Sequence, residues 1–162
     1  MPKRKILIAF YSRSGSNRKV AGKLRQNLAC EIEEIVDLKE RRGAVSMFFC
    51  GLDTILKRHA KIRPPKENPL LYELVVIVSP LWAGSLPPAV RAYLSKNKNR
   101  LNALAFLSVS GRGKMNMGAI SDFKKISGKN PVASLLLREK EVKKGLHEKS
   151  LEIFAREVEA AA

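Results

Sequence analysis

Three short segments of this 162-residue chain concentrate residue types that can hold a phosphate or lie against an aromatic ring. The first, Ser12-Arg13-Ser14-Gly15-Ser16-Asn17, sets three hydroxyls, a glycine and an amide immediately before a helical pattern. Hydroxyls, turn amides and the positive end of a helix dipole together make an anion site. Gly15 lets the backbone approach an anion without a Cβ in the way. A plain N-capping turn has the same composition, so the segment does not decide the matter alone. It carries neither the G-x-x-x-x-G-K-[ST] nor the G-x-G-x-x-G pattern, and a monophosphate suits it better than a dinucleotide.

The second segment runs Ser79-Pro80-Leu81-Trp82-Ala83-Gly84-Ser85-Leu86-Pro87-Pro88 and holds the only tryptophan. A Trp hemmed in by Pro and Gly can present its face to a flat aromatic ligand, and Gly84 would let backbone amides reach that ligand's heteroatoms. A hydrophobic plug over the end of a sheet is the competing reading. In the third segment, Ser110-Gly111-Arg112-Gly113-Lys114, Arg112 is placed to neutralise a reduced, anionic form of such a ligand, although a solvated basic turn reads the same way. His59 and His147 fall outside all three segments and read as surface or helix residues. Cys30 and Cys50 are too few for a disulfide framework and lack metal-ligand spacing, so no metal site and no nucleophile or general acid is expected.

These loops need a frame, and the hydrophobic pattern supplies one. Strands are expected at Ile6 to Phe10, Glu31 to Val36, Leu74 to Ser79, Ala103 to Val109 and Val132 to Leu137. Leu74 to Ser79 is a continuous Val-rich run, the pattern of a strand covered on both faces. Between the strands, Val20, Ala21, Leu24 and Leu28 recur at helical spacing, with Ser16 or Asn17 as the N-cap of a helix from Arg18. Further helices are expected from about Val45 to His59, from Pro87 or Pro88, near Met117 to Ile126, and from Val142 to Val158. The last of these would bury Leu146, Leu151, Ile153, Phe154 and Val158. Strand and helix alternate five times, which predicts an α/β protein with one doubly wound, five-stranded parallel sheet and helices on both faces. Ligands in such sheets bind beyond the carboxyl ends of the strands, where all three segments fall.

Length and composition agree with a single domain spanning residues 1–162, with 45% hydrophobic and 28% charged residues. No apolar run approaches the roughly 20 residues of a membrane-spanning helix, and MPKRK leads straight into a strand, so a cytoplasmic protein is expected. The unusual property is charge: 31 Lys and Arg against 15 Asp and Glu, a formal net charge of +16. Such a field attracts acidic proteins and polyanions. The basic residues are nevertheless scattered, without aromatic interleaving or a recognition motif, which argues against specific nucleic-acid binding.

Taken together, the segments resemble the flavodoxin-like family from Lys5 to about Val158. KILIAFYSRSGSNRKVA is similar to that family's opening strand and its T/S-x-T/S-G-x-T phosphate loop. VVIVSPLWAGSLPPAVRAYL is similar to its P-x-W-x-G-x-x-P-P stretch, and ALAFLSVSGRG to the strand and glycine-bearing loop that border the flavin. The resemblance implies a sheet order 2-1-3-4-5 and a bound FMN. Its phosphate would lie on Ser12, Ser14, Gly15, Ser16 and Asn17. The ring would lie between Pro80, Leu81, Trp82, Ala83 and Gly84 on one side and Ser110, Gly111, Arg112 and Gly113 on the other. Asn17 departs from the family's Thr, and the high positive charge departs from its usual acidity.

The implied function is an FMN-dependent redox protein in electron transfer, with an acidic redox partner protein or a small-molecule electron acceptor. An NAD(P)H-dependent quinone or flavin reductase is the alternative within that class. A basic binding module that keeps the fold without flavin, for an acidic protein or nucleic acid, is the alternative outside it.

Overall fold

The computed structural model describes residues 4–39, 52–54, 56–111 and 117–162. Five strands, β1 (Ile6–Phe10), β2 (Glu31–Glu34), β3 (Leu74–Val78), β4 (Ala103–Ser110) and β5 (Ser134–Arg138), form one sheet in the order β2-β1-β3-β4-β5. Every neighbouring pair is parallel. The expected doubly wound order 2-1-3-4-5 is therefore present. Phe10 stands level with Val78, and Val78 with Leu107, so the chains leaving β1, β3 and β4 emerge side by side.

Among the described residues, five helices with both ends defined cover the sheet: α1 (Ser16–Leu28), α2 (Pro88–Asn97), α3 (Met117–Ser127), α4 (Glu139–Lys143) and α5 (Glu148–Ala161). Side chains alternate across a strand. Ile6, Ile8 and Phe10 of β1 accordingly join Val20 and Leu24 of α1 and Leu151 and Phe154 of α5 in one core. Leu7 and Ala9 point the other way and join Val90 and Leu94 of α2 and Phe123 of α3 in a second. Covered on both faces, β1 (ILIAF) and β3 (LVVIV) are buried at every position.

Two polar clusters lie inside these layers. Arg91 of α2 pairs with Asp122 of α3, both nearly fully buried, and Lys57 Nζ approaches the same carboxylate at 2.8 Å. Burial would raise the Asp122 carboxyl, but the Lys57 hydrogen bond and the Arg91 charge outweigh it and hold the group below its usual range. Glu33 turns inward from β2 and accepts from Tyr93 at 2.9 Å and from the backbone N–H groups of Lys66 and Glu67 at 3.1 Å each. Those partners account for the one glutamate of β2 that is buried, while Glu31 and Glu34 are exposed. Burial and the neighbouring carboxylate push the Tyr93 hydroxyl far above the ordinary tyrosine range, which keeps it a donor.

Several boundaries differ from expectation. α1 begins at Ser16 with Gly15 as its N-cap, without a side-chain cap from Ser16 or Asn17. β5 begins at Ser134, although Val132 and Ala133 already bond Leu104 and Phe106 through their backbones. The single closing helix is two, α4 and α5, because Gly145 takes a left-handed φ of 73° between them. Leu146, beside the interruption, is exposed and His147 is buried, while Ile153 is exposed because the buried face of α5 is Leu151, Phe154, Ala155 and Val158. Of the helix expected from Val45 to His59, residues 52–54 are helical; Val45 to Cys50 lie outside the described residues. No described helix is long and apolar enough to cross a membrane.

Candidate functional site at the carboxyl ends of β1, β3 and β4

The loop after β1 is shaped by its own small residues. Ser12 Oγ accepts from the Gly15 N–H at 3.1 Å, closing a turn, and Gly15 adopts φ 95° as the chain swings into α1. A Cβ at Gly15 would meet nothing within 4 Å, so the positive φ, not crowding, is what calls for glycine here. The hydroxyls of Ser14 and Ser16 both donate to Oε1 of Glu139, the first residue of α4, at 3.4 and 3.0 Å. Lys143 Nζ stands 3.5 Å from that same oxygen. An anionic oxygen is thus already seated on the two serines.

Asn17 does something else. Its side-chain amide donates to the Val109 carbonyl at 3.1 Å and its side-chain oxygen accepts from the Val109 N–H at 3.0 Å. The β3–β4 register ends at Val78 and Leu107, so Asn17 takes over the backbone of β4 just beyond that pairing. Asn17 thus clamps the first loop to β4 while it also lines the cavity between them.

The second loop is a tight hairpin. Trp82 and Ser85 exchange backbone hydrogen bonds of 2.9 Å in both directions around Ala83 (φ 49°) and Gly84 (φ 74°). Two left-handed residues between reciprocal bonds form a type I′ turn, which glycine accepts readily and alanine does not. The hairpin holds Trp82 half-buried. Tyr11 meets its ring edge-on, with centroids 5.7 Å apart at 68°, and the Arg13 guanidinium lies 6.0 Å from its centroid. On the third loop Ser110 and Gly111 are described, whereas Arg112 and Gly113 lie outside the described residues.

A cavity of about 380 Å³ joins the three loops. Ser14 and Asn17 line it from the first, Pro80, Leu81 and Trp82 from the second, and Ser110 and Gly111 from the third. Ser12, Gly15, Ser16, Ala83 and Gly84 shape the walls without lining it. Three further residues line it, Arg13 from the first loop, Val109 and Glu139, and the last two lie outside the segments that the sequence singles out. Val109 is brought in by Asn17. Glu139 comes from the far end of the chain, and no local pattern announces it.

Similar architecture is found among solved structures. A flavoprotein from Lactobacillus acidophilus in complex with FMN superposes with a TM-score of 0.72 at 25% identity, covering 87% of this chain and 97% of that one. The apo-form of the Lactobacillus acidophilus flavoprotein gives 0.64 at 24%, over 87% and 96%. A Fusobacterium nucleatum flavodoxin bound to flavin mononucleotide gives 0.58 at 11%, over 97% and 98%. No family model and no curated protein matches the sequence. Strand order, helix placement and these superpositions define the class by its architecture: the chain has the flavodoxin-like α/β fold.

Proposed function

We propose that the chain is an FMN-binding redox protein, and that the cavity at the carboxyl ends of β1, β3 and β4 is its flavin site. One observation carries this reading. A hydroxyl loop that already seats an anionic oxygen opens into the same cavity as the half-buried Trp82. The cavity lies within the usual range of about 300–1,000 Å³ for small-molecule sites. The Lactobacillus acidophilus flavoprotein, described with FMN bound, supports it.

In this reading Ser14 and Ser16 hold the phosphate, the Ser12 and Gly15 turn fixes them, and Trp82 and Leu81 lie along the ring. Asn17 acts indirectly by locking the first loop to β4. Bound flavin supplies one- or two-electron transfer, while the protein supplies binding, orientation and electrostatics. A partner protein would be acidic. A basic groove of about 1,000 Å³ along α1, with Arg18, Lys19, Lys23 and Arg25 on its wall, supports that choice.

Titration of the apo-protein with FMN, followed by flavin fluorescence and Trp82 quenching, tests the proposal. Saturable binding of FMN and of riboflavin, with quenching of Trp82, is the expected result. A protein that binds neither would be a flavin-free member of the fold, and a salt-sensitive shift with an acidic protein or nucleic acid would then be sought.

A further inference from the structure

We propose that Glu139 is an internal competitor for the ligand's phosphate, and so sets how far the site prefers FMN to riboflavin. The proposal rests on the flavin reading of the cavity and adds to it a residue of α4 that lies far from the three loops in sequence.

Glu139 occupies the hydroxyl loop as an anion would. Both Ser14 and Ser16 turn their hydroxyls to the single oxygen Oε1. A serine hydroxyl has one proton to give, so a hydroxyl donating to Glu139 is not donating to a phosphate oxygen. The carboxylate also places a negative charge where a phosphate would add up to two more. Like charges at hydrogen-bond distance repel, and the single Lys143 ammonium beside Oε1 cannot offset both a carboxylate and a phosphate. A phosphate entering the loop must therefore displace Glu139, whereas riboflavin, which brings no phosphate, can leave it in place.

The fold provides somewhere for the carboxylate to go. Beside the flavin cavity, sharing Gly111 and Glu139 with it, lies a second cavity of about 440 Å³ whose other walls are Lys140, Lys143 and Lys144. Lys143, one turn along α4, is already 3.5 Å from Oε1. Rotation of Glu139 away from the serines keeps this ion pair and moves the charge toward the other two lysines. The side chain thus has two berths, on the serines when no phosphate is present and among the lysines when one is.

The test compares wild type with Glu139→Gln by titration of each apo-protein with FMN and with riboflavin. Glutamine keeps the shape and the acceptor but loses the charge. FMN affinity should rise about tenfold in the variant, the scale of one charge-assisted hydrogen bond, with riboflavin affinity changed less than twofold. Equal FMN affinities in the two proteins, with wild type binding, would overturn the proposal and leave the flavin reading intact. A parallel melt with inorganic phosphate keeps the two apart if neither protein binds flavin. Stabilisation of Glu139→Gln by phosphate at concentrations that leave wild type unmoved supports the competitor role, and identical phosphate response in both overturns it. A far-UV spectrum and melting curve without ligand confirm that the variant is folded.

Discussion

Asn17 and Val109 hold each other by two hydrogen bonds, one from the Asn17 amide to the Val109 carbonyl and one from the Val109 N–H to the Asn17 oxygen, at 3.1 and 3.0 Å. The pair spans the gap between the start of α1 and the end of β4. Asn17→Ala would leave both backbone groups of Val109 buried without partners. Unfolding in urea should show a loss of about 2 kcal/mol, the cost of two unmet buried polar groups partly offset by relaxation. An unchanged midpoint would mean that solvent reaches Val109 once the amide is gone.

Trp82 offers a different kind of prediction, one that separates ring from phosphate. Replacing it with leucine removes the aromatic face but touches neither Ser14 nor Ser16. FMN and riboflavin should weaken by the same factor, roughly fivefold for a stacking contribution of about 1 kcal/mol. A larger loss for FMN alone would place Trp82 nearer the phosphate than the ring.

Ala83 sits at φ 49°, which costs an L-residue about 1 kcal/mol relative to glycine. Ala83→Gly should therefore raise the unfolding free energy by up to about 1 kcal/mol, reduced by the extra freedom glycine brings to the unfolded chain. Thermal melts of the two proteins check this. Gly84→Ala, at φ 74°, should move the other way by a similar amount.

Asp122 carries an acid-range prediction. Its folded-state carboxyl lies below the ordinary value of 3.8, so the stabilisation it brings is complete above that pH. As pH falls below that value toward the folded-state pKa, the unfolded chain takes up the proton first and the stabilisation drains away. Asp122→Asn should flatten this acid limb of the stability curve. Asp122→Ala, which strands the buried Arg91, should cost about 3 kcal/mol at neutral pH, measured by chemical denaturation.

What the sequence made legible was what local pattern controls. LVVIV reads as a strand covered on both faces, Pro88 as the first turn of α2, and the spacing of Val20, Ala21, Leu24 and Leu28 as the buried side of α1. Gly145 carries a signal of its own: a glycine after a run of lysines ends α4, and Leu146 beside it loses its place in the core, whereas Ile153 is out of phase with the Leu151, Phe154 and Val158 face. The type and neighbours of Asn17 suggest a ligand donor, and they carry no hint of its hydrogen bonds to the backbone of Val109, on a strand far along the chain. Glu139 had no sequence signal, because an acidic residue among Arg138, Lys140 and Lys143 looks like any solvated helix start. Contacts between distant segments decide both residues, and neither spacing nor composition encodes such contacts.

The pairing of β1 with β3 also bears on how the chain comes to be folded. Ile6 lies opposite Leu74, and β1 finds its central neighbour only after α1, β2 and the whole following excursion have been made. The β3, β4 and β5 strands are joined by shorter crossovers, so ring closure among them is less costly. Until β3 arrives, ILIAF is a fully apolar strand with α1 over one face and the short, glutamate-rich β2 along one edge. That interval is when nascent chains are most open to association with one another, and the strong positive charge they share works against it.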